Sequence, residues 1–180
     1  MALRLMLVTG QRKGEVVSAR WNEIDLKAGW WTIPPEKAKN GLPHRVPLSP
    51  LALTLLKEIR ELSGDSQFLL PSSQGDKSIR DDAVSKAVRR NEAQLKVAHF
   101  TPHDLRRTAA SHMASSGISR LVISKILNHV DRGVTAVYDR HSYDREKQQA
   151  LERWEKKLRQ IIGMEEKEAE KIIKIRRGHA

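Results

Sequence analysis

The chain contains no cysteine and no G-x-S-x-G turn to sharpen a serine. The nucleophiles left to it are Ser, Thr, Lys and two tyrosines, Tyr138 and Tyr143. A tyrosine with an intrinsic pKa of about 10 attacks at neutral pH only where cations surround both the phenolate and the group it attacks. The sequence places cations where they meet that need. His103 and Arg106, spaced i and i+3, share one helical face, and that face begins at a helix N-terminus, where a phosphate is welcome. Arg12 stands at a helix start after the Thr9-Gly10 turn, and Lys39 occupies a hairpin tip from which a long ammonium side chain can swing into a groove. Together they supply cations of the kind a tyrosine nucleophile needs around it and the group it attacks.

The elements that must carry these residues read as mainly helical, with one small antiparallel sheet. ALRLMLV opens directly in an apolar run without a cap, as expected of a chain cut from something longer. A second helix carries Glu15, Val16, Val17 and Ala19 and ends near Trp21. WWTIP and HRVPLS read as a hairpin, with the Asn-Gly turn signal inside the intervening KAKNGLP. Leu51, Leu55, Ile59 and Leu62 form an amphipathic stripe that Gly64 ends, and Ala83, Val84, Ala87 and Val88 another, over residues 81 to 95. Thr101, Pro102 and Asp104 supply the N-cap, first-turn proline and acidic third position of a helix over 102–116, stopped by Gly117. Ser119 caps the next, which ends near Asn128 and His129. A short helix is expected around 134–140, and a tail helix with Leu151, Trp154, Leu158 and Ile161.

The 33 Lys and Arg against 22 Asp and Glu give a net charge of +11, which favours a polyanion: nucleic acid first, an acidic membrane surface second. Residues 1–143 hold +8 of it, while the tail interleaves both signs as a solvated helix face does. A chain of 180 residues without internal repeats implies one compact unit. No apolar run approaches the ~20 residues of a membrane span, and Met1–Val8 is too short for a signal peptide, so a soluble intracellular protein is expected. Without cysteine there are no disulfides and no thiolate-bound zinc or iron–sulfur centre. His99, His103 and His112 do not reproduce a zinc spacing, and no Asp/Glu cluster resembles a two-metal nuclease site. Neither a metal nor a cofactor is expected.

Five boxes, TGQRKGEV, AKNGLPHRVPLS, TPHDLRRTAASHMA, ILNHV and VTAVYDRHSY, resemble in order those of the tyrosine recombinases, or phage-type integrases. The nine residues from His129 to Tyr138 and the eight from Lys39 to Pro47 are similar to that pattern. The resemblance implies the tyrosine recombinase catalytic-domain fold, with residues 1–143 as catalytic core and 144–180 as a helical tail of the same domain. It also implies that the family's separate N-terminal DNA-binding module is missing from this chain. Arg12 then resembles the first catalytic arginine, Lys39 the hairpin lysine, His103 and Arg106 the H-x-x-R pair, His129 the second histidine and Tyr138 the nucleophile.

Such a set would cleave and rejoin DNA at attachment sites through a 3′-phosphotyrosine and a four-way junction, integrating or excising a phage or mobile element. The implied partners are double-stranded DNA and further protomers, as a tetramer on DNA. DNA-bending or directionality proteins are possible additions; a membrane is not a partner. The implied location is the cytoplasm of a bacterial host, at the nucleoid. Relaxation of supercoils in the manner of type IB topoisomerases, or an inactive DNA-binding remnant, are the alternatives. Lys37, two residues from Lys39, competes for the lysine role; Asp104 reads as a cap, Glu15 as the group that orients Arg12, and Tyr143 as packing. Asn128 departs from the family pattern, which commonly has Gly before the second histidine; at a helix C-terminus with positive φ, Asn serves as well.

Overall fold

A computed structural model describes residues 1–75, 77–129 and 141–164. Helix α1 (Ala2–Thr9) is followed by the short α2 (Lys13–Val17) and a single 3₁₀ turn (Trp21–Glu23). A three-stranded antiparallel sheet comes next, β1 (Ile24–Asp25), β2 (Trp30–Ile33) and β3 (His44–Pro47), in spatial order β1-β2-β3. Beyond it lie α3 (Pro50–Ser63), α4 (Asp81–Arg90), α5 (Glu92–Leu95), α6 (Pro102–Ser115), α7 (Arg120–Ile126) and α8 (Asp144–Ile161). The described chain is therefore mainly α with a small antiparallel sheet, as its periodicities imply. None of these helices is long and apolar enough to cross a membrane.

The core is built around α1, which packs against α6, α3, α2 and α8. Leu5 and Met6 of α1 are buried against Leu56 and Ile59 of α3, Met113 of α6 and Leu151 and Trp154 of α8 within one continuous cluster. Trp154 Nε1 donates to Leu7 O at 2.9 Å, so the indole enters the core without an orphaned donor. Through Leu158 the α8 stripe therefore packs on its own chain, while Ile161, at the helix end, is half exposed.

Four local expectations change. Helix α2 stops at Val17 because residues 19–21 instead pair as extended chain with 67–69, Leu69 N donating to Ala19 O and Trp21 N to Gln67 O. The sheet gains β1, whose two residues pair with Trp30 and Trp31 and are too short to show a period. On α3 the buried face continues from Ile59 through Ser63, which accepts Trp21 Nε1, and Leu62 lies outside. The stretch 81–95 is two helices, because Asn91 turns its Nδ2 back onto Ala87 O and ends the first. The capping signals around 101–104 and at Ser119 are present: Asp104 accepts the Thr101 N–H at 2.8 Å, and Ser119 Oγ accepts the Val122 N–H. The helix expected around 134–140 lies outside the described residues.

Candidate functional site

A helix ends in backbone carbonyls that no later N–H satisfies, and these form the negative end of its dipole. At the end of α7 four side chains from distant parts of the chain meet them. Gln11 Nε2 donates to Ile126 O at 3.1 Å and His44 Nε2 to the same oxygen at 3.0 Å. Arg106 donates through Nη2 to Leu127 O and through Nη1 to Gly10 O at 2.7 Å. Arg12 donates through Nη2 to Asn128 O at 3.2 Å. Gly10 makes this convergence feasible: it closes α1 at φ 68, and a Cβ there would meet Leu127 Cδ2 at 3.5 Å.

Both arginines are fixed before any ligand arrives. Glu15, buried in α2, accepts from Arg12 Nη1 and from the Arg12 backbone N–H, each at 2.9 Å, so it orients the guanidinium and caps the helix together. Arg106, one turn into α6, is 3% exposed, and burial first and the Arg12 charge second lower its pKa to about 10. It remains cationic at neutral pH. The pKa of His103 at the start of α6 falls through partial burial, then Arg107 and Arg106; that of His129 falls through partial burial, then Arg106, Arg12 and His103. These four groups feel one another's charge, and both imidazoles are held toward the neutral form, which offers one donor and one acceptor.

Arg12, Lys39, Thr101 and His103 line one cavity of about 460 Å³. Lys37 is committed elsewhere: its Nζ pairs with Glu23 and donates to Ser18 O, whereas Lys39 is exposed at the hairpin tip. His129 lines a second cavity, of about 280 Å³, with His44, Lys125 and Asn128. Asn128 takes φ 47, the left-handed turn expected of it. Tyr138 lies outside the described residues. Tyr143 precedes α8 at φ 55, its ring 4.9 Å from Lys125 Nζ and edge-on to His141. Among the described residues no three His, Asp or Glu side chains gather as metal ligands would.

Residues 1–145 match the profile of the phage integrase family. The chain belongs to that family. Prophage integrase IntA of Escherichia coli K12 is 33% identical over 150 residues, 82% of this chain and 36% of IntA. The lambda integrase catalytic core superposes with a TM-score of 0.59 at 26% identity, over 73% of this chain and 81% of that one. The integrase of mycobacterium phage Brujita shares the fold, with a TM-score of 0.65 at 19% identity over 85% of this chain and 50% of that one. The chain thus spans less than half the length of the first curated relatives it matches.

Several residues that build this site carry little sequence signal. Gln11, fully buried between the two arginine-bearing segments, also donates to Thr9 O, yet in the sequence it is only a letter within TGQR. His44 looks like an ordinary strand residue of HRVPLS. The side chains of Asn40 and Asn128 bond to each other across 88 residues, and no local pattern announces that contact.

Proposed function

We propose that this chain is the catalytic unit of a site-specific DNA recombinase, residues 1–143 forming the core and 144–180 its tail. The observation that carries the reading is the pair Arg12 and Arg106, both bonded to the carbonyls that end α7, with His103 and Lys39 about the adjoining cavity. A phosphodiester carries one negative charge and gains another in the five-coordinate transition state. Two fixed guanidiniums bind its nonbridging oxygens and stabilise that added charge. Tyr138 Oη attacks phosphorus and His103 takes its proton. The P–O5′ bond breaks, and Lys39 delivers a proton to the leaving 5′ oxygen. His129 donates a hydrogen bond to a nonbridging oxygen. The 3′-phosphotyrosine keeps the bond energy, and attack by a second strand's 5′-hydroxyl reverses each transfer. The chain's own residues provide every group this needs.

The partners we assign are attachment-site DNA and further copies of the recombinase, with DNA-bending or directionality proteins as accessories, in the bacterial cytoplasm at the nucleoid. Lambda integrase, for which a dimer on a COC′ core site and a tetramer on a Holliday junction have been solved, supports that assembly. The test is a nicked duplex built from the DNA flanking the gene. A covalent adduct is expected with the wild type and none with Tyr138→Phe. An adduct that persists in Tyr138→Phe but disappears in Tyr143→Phe refutes the assignment, and relaxation of any supercoiled plasmid without a required site points to the topoisomerase reaction instead.

A further inference from the structure

The lysine hairpin is fastened on both sides of Lys39. Before it, Lys37 is tied to Glu23 and Ser18 O, and Ala38 is buried. After it, Asn40 Nδ2 donates to Asn128 Oδ1 at 2.8 Å and Asn128 Nδ2 returns to Asn40 Oδ1 at 3.4 Å, a reciprocal amide pair. Asn40 Oδ1 also accepts the Leu42 N–H, closing the tip on itself. The partner residue sits at the hub of the site. Asn128 offers its carbonyl to Arg12 Nη2, precedes His129, and holds φ 47, a backbone state that glycine adopts without strain. A side chain at that position is not needed by the turn; what it adds is the amide that reaches the hairpin.

We propose that the Asn40–Asn128 pair is a latch that holds Lys39 over the scissile phosphate. The idea rests on the recombinase reading and on Lys39 as proton donor to the 5′ oxygen. Asn40 and Asn128 are positioning residues: neither touches the substrate, and both act through where they leave the Lys39 ammonium. With the latch open, the tip is fastened from one side only, and Lys39 spends less time in reach of the leaving oxygen. Two amide hydrogen bonds of ordinary net strength set the scale, about tenfold in the rate of cleavage.

The experiment uses the full chain and the nicked duplex above. The phosphate cleaved by the wild type is mapped, and a second substrate is made with sulfur in place of its bridging 5′ oxygen. A thiolate leaves without a proton, so cleavage of the sulfur substrate does not need Lys39. Asn128→Gly is the main variant, since glycine accepts φ 47 and the fold is retained, which a thermal melt verifies; Asn40→Ala is the second. Each is expected to slow cleavage of the oxygen substrate about tenfold and to cleave the sulfur substrate at the wild-type rate. Lys39→Ala shows the same pattern with a larger loss, and the double variant is no slower than either single one. Equal slowing on both substrates, or no slowing on oxygen while Lys39→Ala is slowed, overturns the latch alone. A wild type that forms no adduct, or a Lys39→Ala that sulfur fails to rescue, overturns the recombinase reading or the acid role beneath it, and the latch with it.

Discussion

His44→Gln tests whether a buried neutral imidazole helps to seat the end of α7. His44 is 6% exposed, and its Nε2 donates to Ile126 O, a carbonyl it shares with Gln11. Burial first and the Lys147 charge second lower its pKa from 6.5 to about 4, while the hydrogen bond to Ile126 O opposes the fall. In the unfolded chain the same ring titrates near 6.5, so protonation favours unfolding. The contribution is fully present above pH 6.5, is lost progressively as pH drops toward 4, and changes no further below that. At ~1.4 kcal/mol per tenfold difference in proton affinity, the interval from 6.5 to about 4 corresponds to about 3 kcal/mol. Gln cannot titrate, and its Nε2 is placed to donate to the same carbonyl. Urea unfolding of both proteins at pH 7, 6, 5 and 4 isolates the effect, since the carboxylates and the remaining histidines titrate in both. The wild type should lose about 3 kcal/mol more than the variant across that range. Parallel stability curves refute the reasoning.

Arg106→Lys leaves a point charge that cannot hold Gly10 O and Leu127 O together, so adduct formation should fall by about 10²–10³ with DNA binding largely kept, read by single-turnover cleavage beside a binding titration. Lys37→Ala and Lys39→Ala should separate cleanly. The first loses the half-buried pair with Glu23 and about 1 kcal/mol of stability, whereas the second melts as the wild type does and loses cleavage. Trp154→Ala should cost about 4 kcal/mol in a urea titration, because the indole is 1% exposed in the core and its N–H leaves Leu7 O unpaired when removed.

The parts legible in the sequence are those governed by neighbours in the chain. The start of α6 is written in Thr101, Pro102 and Asp104 because capping is settled within one turn, and Glu15 is legible as the partner of Arg12 because Arg12 caps the short helix that carries it. What the sequence hides is held by contacts between distant segments. Gln11 and His44 reach the same carbonyl of residue 126 from two different segments of the chain, and Ser63, on the buried face of α3, accepts from Trp21. The choice between Lys37 and Lys39 is of the same kind. Both sit two residues apart in one loop, and only the position of Glu23 and Ser18 O shows which of them is already occupied.

The manner in which the two arginines are held bears on how they would work. Among the described residues the Arg106 side chain meets carbonyl oxygens and no carboxylate, whereas the one buried carboxylate nearby, Glu15, is spent on Arg12. A carboxylate on Arg106 would fix its direction equally well but would compete with the phosphate for the same fork of N–H groups. Carbonyls orient the guanidinium through two of those groups and leave its charge to be answered by a ligand. Burial first and the Arg12 charge second lower the pKa of Arg106, and after partial burial the neighbouring arginines push those of His103 and His129 down as well. A phosphate entering beside Arg12 and Arg106 supplies the missing negative charge and relieves the repulsion. It would also raise the proton affinity of both histidines, and in the proposed reaction that of His103 at the step where it accepts the tyrosine proton. In the proposed reaction the anion that is the substrate would therefore stabilise the site it enters and improve the base that serves the nucleophile.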